Sequence, residues 1–248
     1  MNLKPKIIVI LGQTSTGKSD FAVNIAKKIK GEIISADSRQ VYKGMDLGTG
    51  KITNKEMQGI PHYLLDVVSP KKIFSVSDYK KLADKKISEI LARGKTPIIC
   101  GGTGFYIDAV VDGVTLPEVP PNLKLRETLG KKSAEDLLKI LIKLDSVRAE
   151  NIDVKNKVRL IRAIEIAKVL GKVPKIKQNT QYEVLKIGLT IPDEILKERI
   201  HTRLLARIKK GMLKEIGSLH KGGVSWRRME MLGLEYRYGA LHLQGRIT

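Results

Sequence analysis

The stretch ILGQTSTGKSDF, residues 10–21, constrains this chain more than any other, because it asks for a strand, a glycine loop and a helix in immediate succession. Gly12, Gln13, Thr14, Ser15, Thr16, Gly17, Lys18 and Ser19 fit the pattern GxxxxGK[ST], behind an apolar run at 7–11 and ahead of the helical pattern FAVNIAKKIK. In that setting the N–H groups of the loop and of the helix start converge on phosphate oxygens. Lys18 then reaches a terminal phosphate and the Ser19 hydroxyl binds magnesium. These eight residues imply a phosphate site and leave its ligand open: ATP, GTP and a non-nucleotide diphosphate would all look the same to them.

The rest of the first half repeats the alternation. KIIVIL, EIISAD, HYLLDVV and TPIICGG read as strands, and Val76, Tyr79, Leu82, Ala83, Ile87, Ile90 and Leu91 keep the spacing of one apolar helix face near 76–92. Strands alternating with helices predict an α/β fold: a P-loop NTPase-like parallel sheet flanked by helices, with ligands at the carboxyl ends of the strands. Three loops fall at such ends, GQTSTGKS, DSRQVYKGMDLGTGK and GGTGFY, and are expected to meet at one site. After the proline cluster in GVTLPEVPPN the pattern turns helical and charged, then QYEVLKIGLTI reads as a strand and PDEILKERIHTRLLARIKKG as a long helix. This predicts a discontinuous core, 1–117 and 173–248, with a helical insertion domain at 118–172.

The 46 Lys and Arg against 26 Asp and Glu give a formal charge of +20. A field of that sign favours polyanions such as RNA, DNA or anionic membrane, although paired lysines on solvated faces would give the same count. The one cysteine, Cys100, excludes an internal disulfide and a Cys-rich zinc site. No run approaches the ~18 apolar residues of a membrane span, and a core strand begins within a few residues of Met1. A soluble cytoplasmic protein, acting as a monomer away from membranes, is expected.

Candidate chemistry gathers in the loops. Asp37 follows the second strand, where a carboxylate could take a proton from a nucleophile or merely close an Asx turn. Asp66, ending HYLLD, competes as the magnesium partner of a P-loop ATPase. Thr103 sits in a glycine turn whose purpose could be binding or only geometry. Arg199, Arg203 and Arg207 recur every four residues along one helix face, and Arg159 and Arg162 mark another; each row could grip phosphates or be a solvated basic face. The four histidines show no metal-ligand spacing, and neither a Ser-His-Asp nor a Cys-His mechanism has its parts.

Taken together, GQTSTGKS, ISADSRQVYKGMDLGTGK, GIPHYLLD, GGTGFYIDAVVDG, RLIRAIEIAKVLGK and the helix around Arg199, Arg203 and Gly211 resemble the tRNA dimethylallyltransferases, in that family's order over most of 6–235. The resemblance implies transfer of a dimethylallyl group from dimethylallyl diphosphate to N6 of the adenosine just 3′ of the anticodon, in tRNAs reading codons that begin with U. It implies a P-loop that holds diphosphate with Mg2+, Asp37 as general base, and Thr103 and Arg203 as catalytic helpers. It also implies contact of Asp37, Ser38, Arg39, Gln40, Thr103 and the segment Val158, Arg159, Leu160, Ile161, Arg162 with the tRNA anticodon stem-loop. Leu205 stands where the family commonly has an acid, and the family usually continues past GRIT with a basic helical tail that also meets tRNA. A prenyltransferase for free adenine nucleotides, a P-loop kinase or NTPase, and an RNA-binding variant without catalysis are the competing readings.

Overall fold

The computed structural model describes residues 4–175 and 178–247. It separates into two compact units, one made of Met1–Gly113 with Asn179–Thr248, the other Val114–Gln178. The second unit thus begins at Val114 rather than 118 and ends at Gln178 rather than 172.

The first unit opens with β1 (Lys6–Gly12), α1 (Lys18–Ile29), β2 (Gly31–Ser35), α2 (Asn54–Met57), β3 (His62–Tyr63), α3 (Val76–Ala92), β4 (Thr96–Gly101) and α4 (Gly104–Val111). The second unit is helical: α5 (Leu123–Gly130), α6 (Ala134–Leu144), α7 (Ser146–Glu150) and α8 (Lys157–Leu170). The chain then returns through β5 (Glu183–Leu189), α9 (Asp193–Lys209), α10 (Met212–Lys221), α11 (Trp226–Met229) and α12 (Leu234–Leu243). The five strands pair in parallel in the order β3-β2-β4-β1-β5.

The period-two alternation of the strands sets the two faces. Ile10, Ile33, Ile98 and Cys100 point to one side and pack on Ala22, Val23 and Ala26 of α1. Val9, Ile34 and Ile99 point to the other and meet Tyr79, Ala83, Ile87 and Ile90 of α3 with Tyr106 and Val110 of α4. Over β1, β2 and β4 both faces are covered, as in a parallel sheet between helix layers, whereas the edge strand β5 stays largely exposed. A separate cluster ties α10 and α12 to the chain after β2 through Val41, Tyr42, Met45, Ile216, Met229, Leu232 and Tyr236. The helical unit has its own core, built on Leu129, Leu137, Leu141, Leu160 and Ile164.

HYLLDVV departs from the strand expected of it. Only His62 and Tyr63 pair with β2; Leu64 and Asp66 then take left-handed conformations, φ 62° and 56°. The kink turns the chain back so that Asp66 N–H reaches the Gln40 carbonyl and Val68 N–H that of Val41. Apolarity marked this segment as buried; it could not reveal that the partner is a loop.

Candidate active site

The phosphate loop runs from the end of β1 into α1. Its Gln13 carbonyl accepts from Lys18 Nζ at 2.5 Å and from the Thr16 hydroxyl at 2.9 Å, so the loop curls around its own oxygen. Ser15 holds φ 63° to make the turn. The helix has Gly17 as N-cap and no side chain capping it, which leaves first-turn N–H groups for an anion. Burial holds the Lys18 ammonium below the ordinary lysine range; Cys100 and Asp37 oppose the shift and Arg203 adds to it. Lys18, Asp37 and Arg203 therefore share one electrostatic neighbourhood. The Ser19 side chain is exposed at the helix start.

Asp37 leaves the carboxyl end of β2. Its Oδ1 accepts from the N–H groups of Arg39 at 2.8 Å and Gln40 at 3.2 Å, closing an Asx turn. Turn and chemistry are thus compatible: one oxygen fixes the carboxylate, and Oδ2 takes no part in that turn. The loop after β4 is laced to this one, since Thr103 Oγ1 accepts from Ser38 N–H at 3.0 Å and Thr103 N–H donates to the Ala36 carbonyl at 3.1 Å. The Thr103 hydroxyl accepts in that bond, which keeps its proton for another partner. Such lacing needs Gly101, because a Cβ there would stand 2.2 Å from the Ala36 oxygen.

The arginine row of α9 separates into distinct roles. Arg203 donates to the Ser15 hydroxyl at 3.0 Å, at the phosphate loop itself. Arg207 is largely covered, donates to the Gly48 carbonyl at 3.4 Å and pairs with Glu235 at 3.7 Å; burial, then Arg203, lower its pKa, and Asp37 is among the groups that oppose this. Arg199 is exposed. Hydrogen bonds from Thr53 hold the Glu56 carboxyl below its usual range, and the charges of Arg203 and Lys210 add to the effect. Glu56 thus borders the site, which its capping-box spacing could not reveal. Asp66 is committed elsewhere: Lys51 Nζ lies 2.5 Å from it and 2.7 Å from Asp46, with the lysine side chain 6% exposed.

Of the residues expected to touch tRNA, Ser38, Arg39 and Gln40 lie half-buried beside Asp37. In the helical unit Val158 is 77% exposed and Arg159 is open, weakly paired with Asp153 at 3.8 Å. Leu160 corrects the expectation: at 0% exposure it is a core residue of its unit, with Ile161 packed partly against the same core. Arg162 is occupied too, donating to Glu165 and to the Val119 carbonyl at 2.8 Å. Helical periodicity makes this inevitable, since five consecutive residues span more than one face.

Among the described residues no group of three His, Cys, Asp or Glu side chains converges as a metal cage, and no helix is long and apolar enough to cross a membrane. Sequence patterns pointed to Arg207 only as one of a row and to Gly48, Gly50 and Lys51 only as part of the loop DSRQVYKGMDLGTGK, and passed over Glu215.

The family model described as IPP transferase matches residues 40–248. The tRNA dimethylallyltransferase 2 of Treponema denticola is 45% identical over 98% of this chain and 83% of its own length. The tRNA dimethylallyltransferase 1 of Syntrophus aciditrophicus is 41% identical over 98% and 81%. In structure, the tRNA isopentenylpyrophosphate transferase of Bacillus halodurans superposes with a TM-score of 0.72 at 36% identity, covering 99% of this chain and 79% of that one. A eukaryotic dimethylallyltransferase described as acting on tRNA gives 0.79 at 25% identity, over 98% and 67%.

Proposed function

The chain belongs to the IPP transferase family, and on that premise we propose that it transfers the dimethylallyl group of dimethylallyl diphosphate to N6 of the adenosine 3′ of a tRNA anticodon. The observation that carries this reading is the lacing of the Asp37 and Thr103 loops beside a phosphate loop that Arg203 closes from α9. Alkylation of a poor nitrogen nucleophile requires both ends of the reaction to be held, a proton acceptor and a positioning hydroxyl at one and an anion cradle at the other.

The allylic C–O bond breaks as the C–N bond forms. Loop N–H groups, Lys18 and Arg203 stabilise the charge growing on the leaving diphosphate. Asp37 Oδ2 accepts the N6 proton, and the Thr103 hydroxyl donates a hydrogen bond to the adenine and positions it. Magnesium commonly takes one or two protein ligands beside phosphate oxygens and water, so the single exposed Ser19 hydroxyl fits it, and the bound ion supplies further countercharge. The adenine must leave the anticodon stack to reach this loop, which makes recognition one of a splayed base. Ser38, Arg39, Gln40, Val158 and Arg159 are assigned to tRNA contact, and the protein to a cytoplasmic, monomeric existence with its tRNA.

The deciding experiment combines the protein, magnesium, labelled dimethylallyl diphosphate and unmodified tRNA, with AMP and ATP as competing substrates. Label is expected in the tRNA alone, lost in Lys18→Ala and slowed about 10²- to 10⁴-fold in Asp37→Ala. Labelled AMP or phosphate released from ATP, with unlabelled tRNA, would overturn the reading.

A further inference from the structure

Glu215, on α10, sits outside the groups assigned above, yet its carboxylate is among the most heavily bonded in the molecule. Oε2 accepts from the N–H groups of Asp46 at 3.0 Å and Leu47 at 2.7 Å; Oε1 accepts from Gly48 N–H at 3.1 Å and the Tyr236 hydroxyl at 2.6 Å. Three successive amides aimed at one anion form a backbone nest, and here the anion is built in. Gly48 lies flat on Tyr236, where a Cβ would come within 2.5 Å of the ring. Burial, with Glu215 beside it, pushes the Tyr236 phenol above its ordinary range, so it remains a donor.

From the nest the contacts lead to the catalytic carboxylate. The Gly48 carbonyl accepts from Arg207, whose guanidinium fills the space over Gly50. The Gly50 carbonyl accepts from Gln40 Nε2 at 3.4 Å, and Gln40 N–H donates to Asp37 Oδ1. We propose that Glu215 is a positioning residue of the reaction, holding the 46–50 loop closed so that Gln40 and Arg207 fix the orientation of Asp37. The proposal rests on the transferase reading for its kinetic consequence and on geometry alone for its structural one. A cavity of about 350 Å³ opens behind the carboxylate, lined by Lys43, Lys71 and Ser218; it gives a small exogenous carboxylate a route to the nest once the side chain is cut back.

The test compares the full-length wild type with Glu215→Ala and the isosteric Glu215→Gln, each in sodium chloride and in sodium acetate at equal ionic strength. Glu215→Ala is expected to lower kcat about 10- to 100-fold, the scale of a misplaced reacting group. Its KM for dimethylallyl diphosphate should stay within about twofold, because the phosphate loop is outside the path. Acetate should restore part of the lost kcat in Glu215→Ala and none in Glu215→Gln, whose amide still fills the space. Amide hydrogen exchange should accelerate at 46–48 and also at Arg39 and Gln40. An unchanged kcat, or faster exchange confined to 46–48, would overturn the proposal. Exchange is read without any transfer, so a wild type that prenylates nothing sinks the transferase reading while the brace is still judged.

Discussion

Gly101 is where two backbones of the site come closest. An added Cβ 2.2 Å from the Ala36 oxygen must push β4 from β2 or break the bonds that lace Thr103 to Ala36 and Ser38. Gly101→Ala is therefore expected to cost about 1–3 kcal/mol in urea unfolding and to lose more prenyl transfer than that destabilisation accounts for. Cys100, one residue earlier, is the opposite kind of position. Its thiol is buried beneath the phosphate loop, 3.7 Å from the Lys18 carbonyl, and burial pushes it up to about 12. Only the thiolate alkylates, so iodoacetamide at pH 8 should leave native Cys100 unlabelled by mass spectrometry and label it on unfolding. A cysteine inside an apolar run such as TPIIC is of the buried, inert kind. Glu215 was silent in the sequence, because a glutamate in an amphipathic helix looks the same whether it faces solvent or a nest of amides.

Within elements, α8 shows how a motif can be right in its pattern and misleading in its detail. Arg162 and Leu160 lie in a segment that resembles a tRNA-binding region, but one holds Glu165 and the other fills the helical core. Glu165 is 1% exposed and accepts from Asn122 N–H, Arg126 and Arg162. Burial alone would raise its pKa; hydrogen bonds from Arg126, Asn122 and Arg162 outweigh it and hold the carboxyl at about 2 against an ordinary 4.5. A carboxyl depressed on folding contributes stability that is complete above 4.5 and is lost as pH falls towards 2. Arg126→Ala should cost about 1.5–3 kcal/mol at pH 7, the loss of charged hydrogen bonds, because Arg162 and the Asn122 N–H still hold Glu165. The gap to the wild type should narrow below pH 4.5, measured by urea unfolding at several pH values. The helices themselves carry local marks: Ser133 caps α6, its hydroxyl accepting from Asp136 N–H, and Gly171 ends α8. HYLLDVV kept its strand only at His62 and Tyr63, because apolarity is shared by a strand and by a kinked segment packed under a loop.

At the scale of the whole molecule the charge of +20 becomes a statement about binding. An anticodon arm held through about six phosphates should lose roughly a thousandfold in affinity between about 50 and 200 mM salt, read by fluorescence anisotropy. Dimethylallyl diphosphate, gripped by loop amides and two side chains, should respond far less. By itself the sequence determined the alternating α/β core, the phosphate loop, the helical second unit and, through six ordered motifs, the family, because strand and helix periods and glycine-rich loops are local signals. Tertiary structure alone decided which arginine reaches Ser15, that Asp66 is held by Lys51, that Leu160 is core, and that Glu215 braces the loop beside Asp37. Those outcomes join residues as much as 188 positions apart, and at that range identity and spacing carry no record of which side chain will face which.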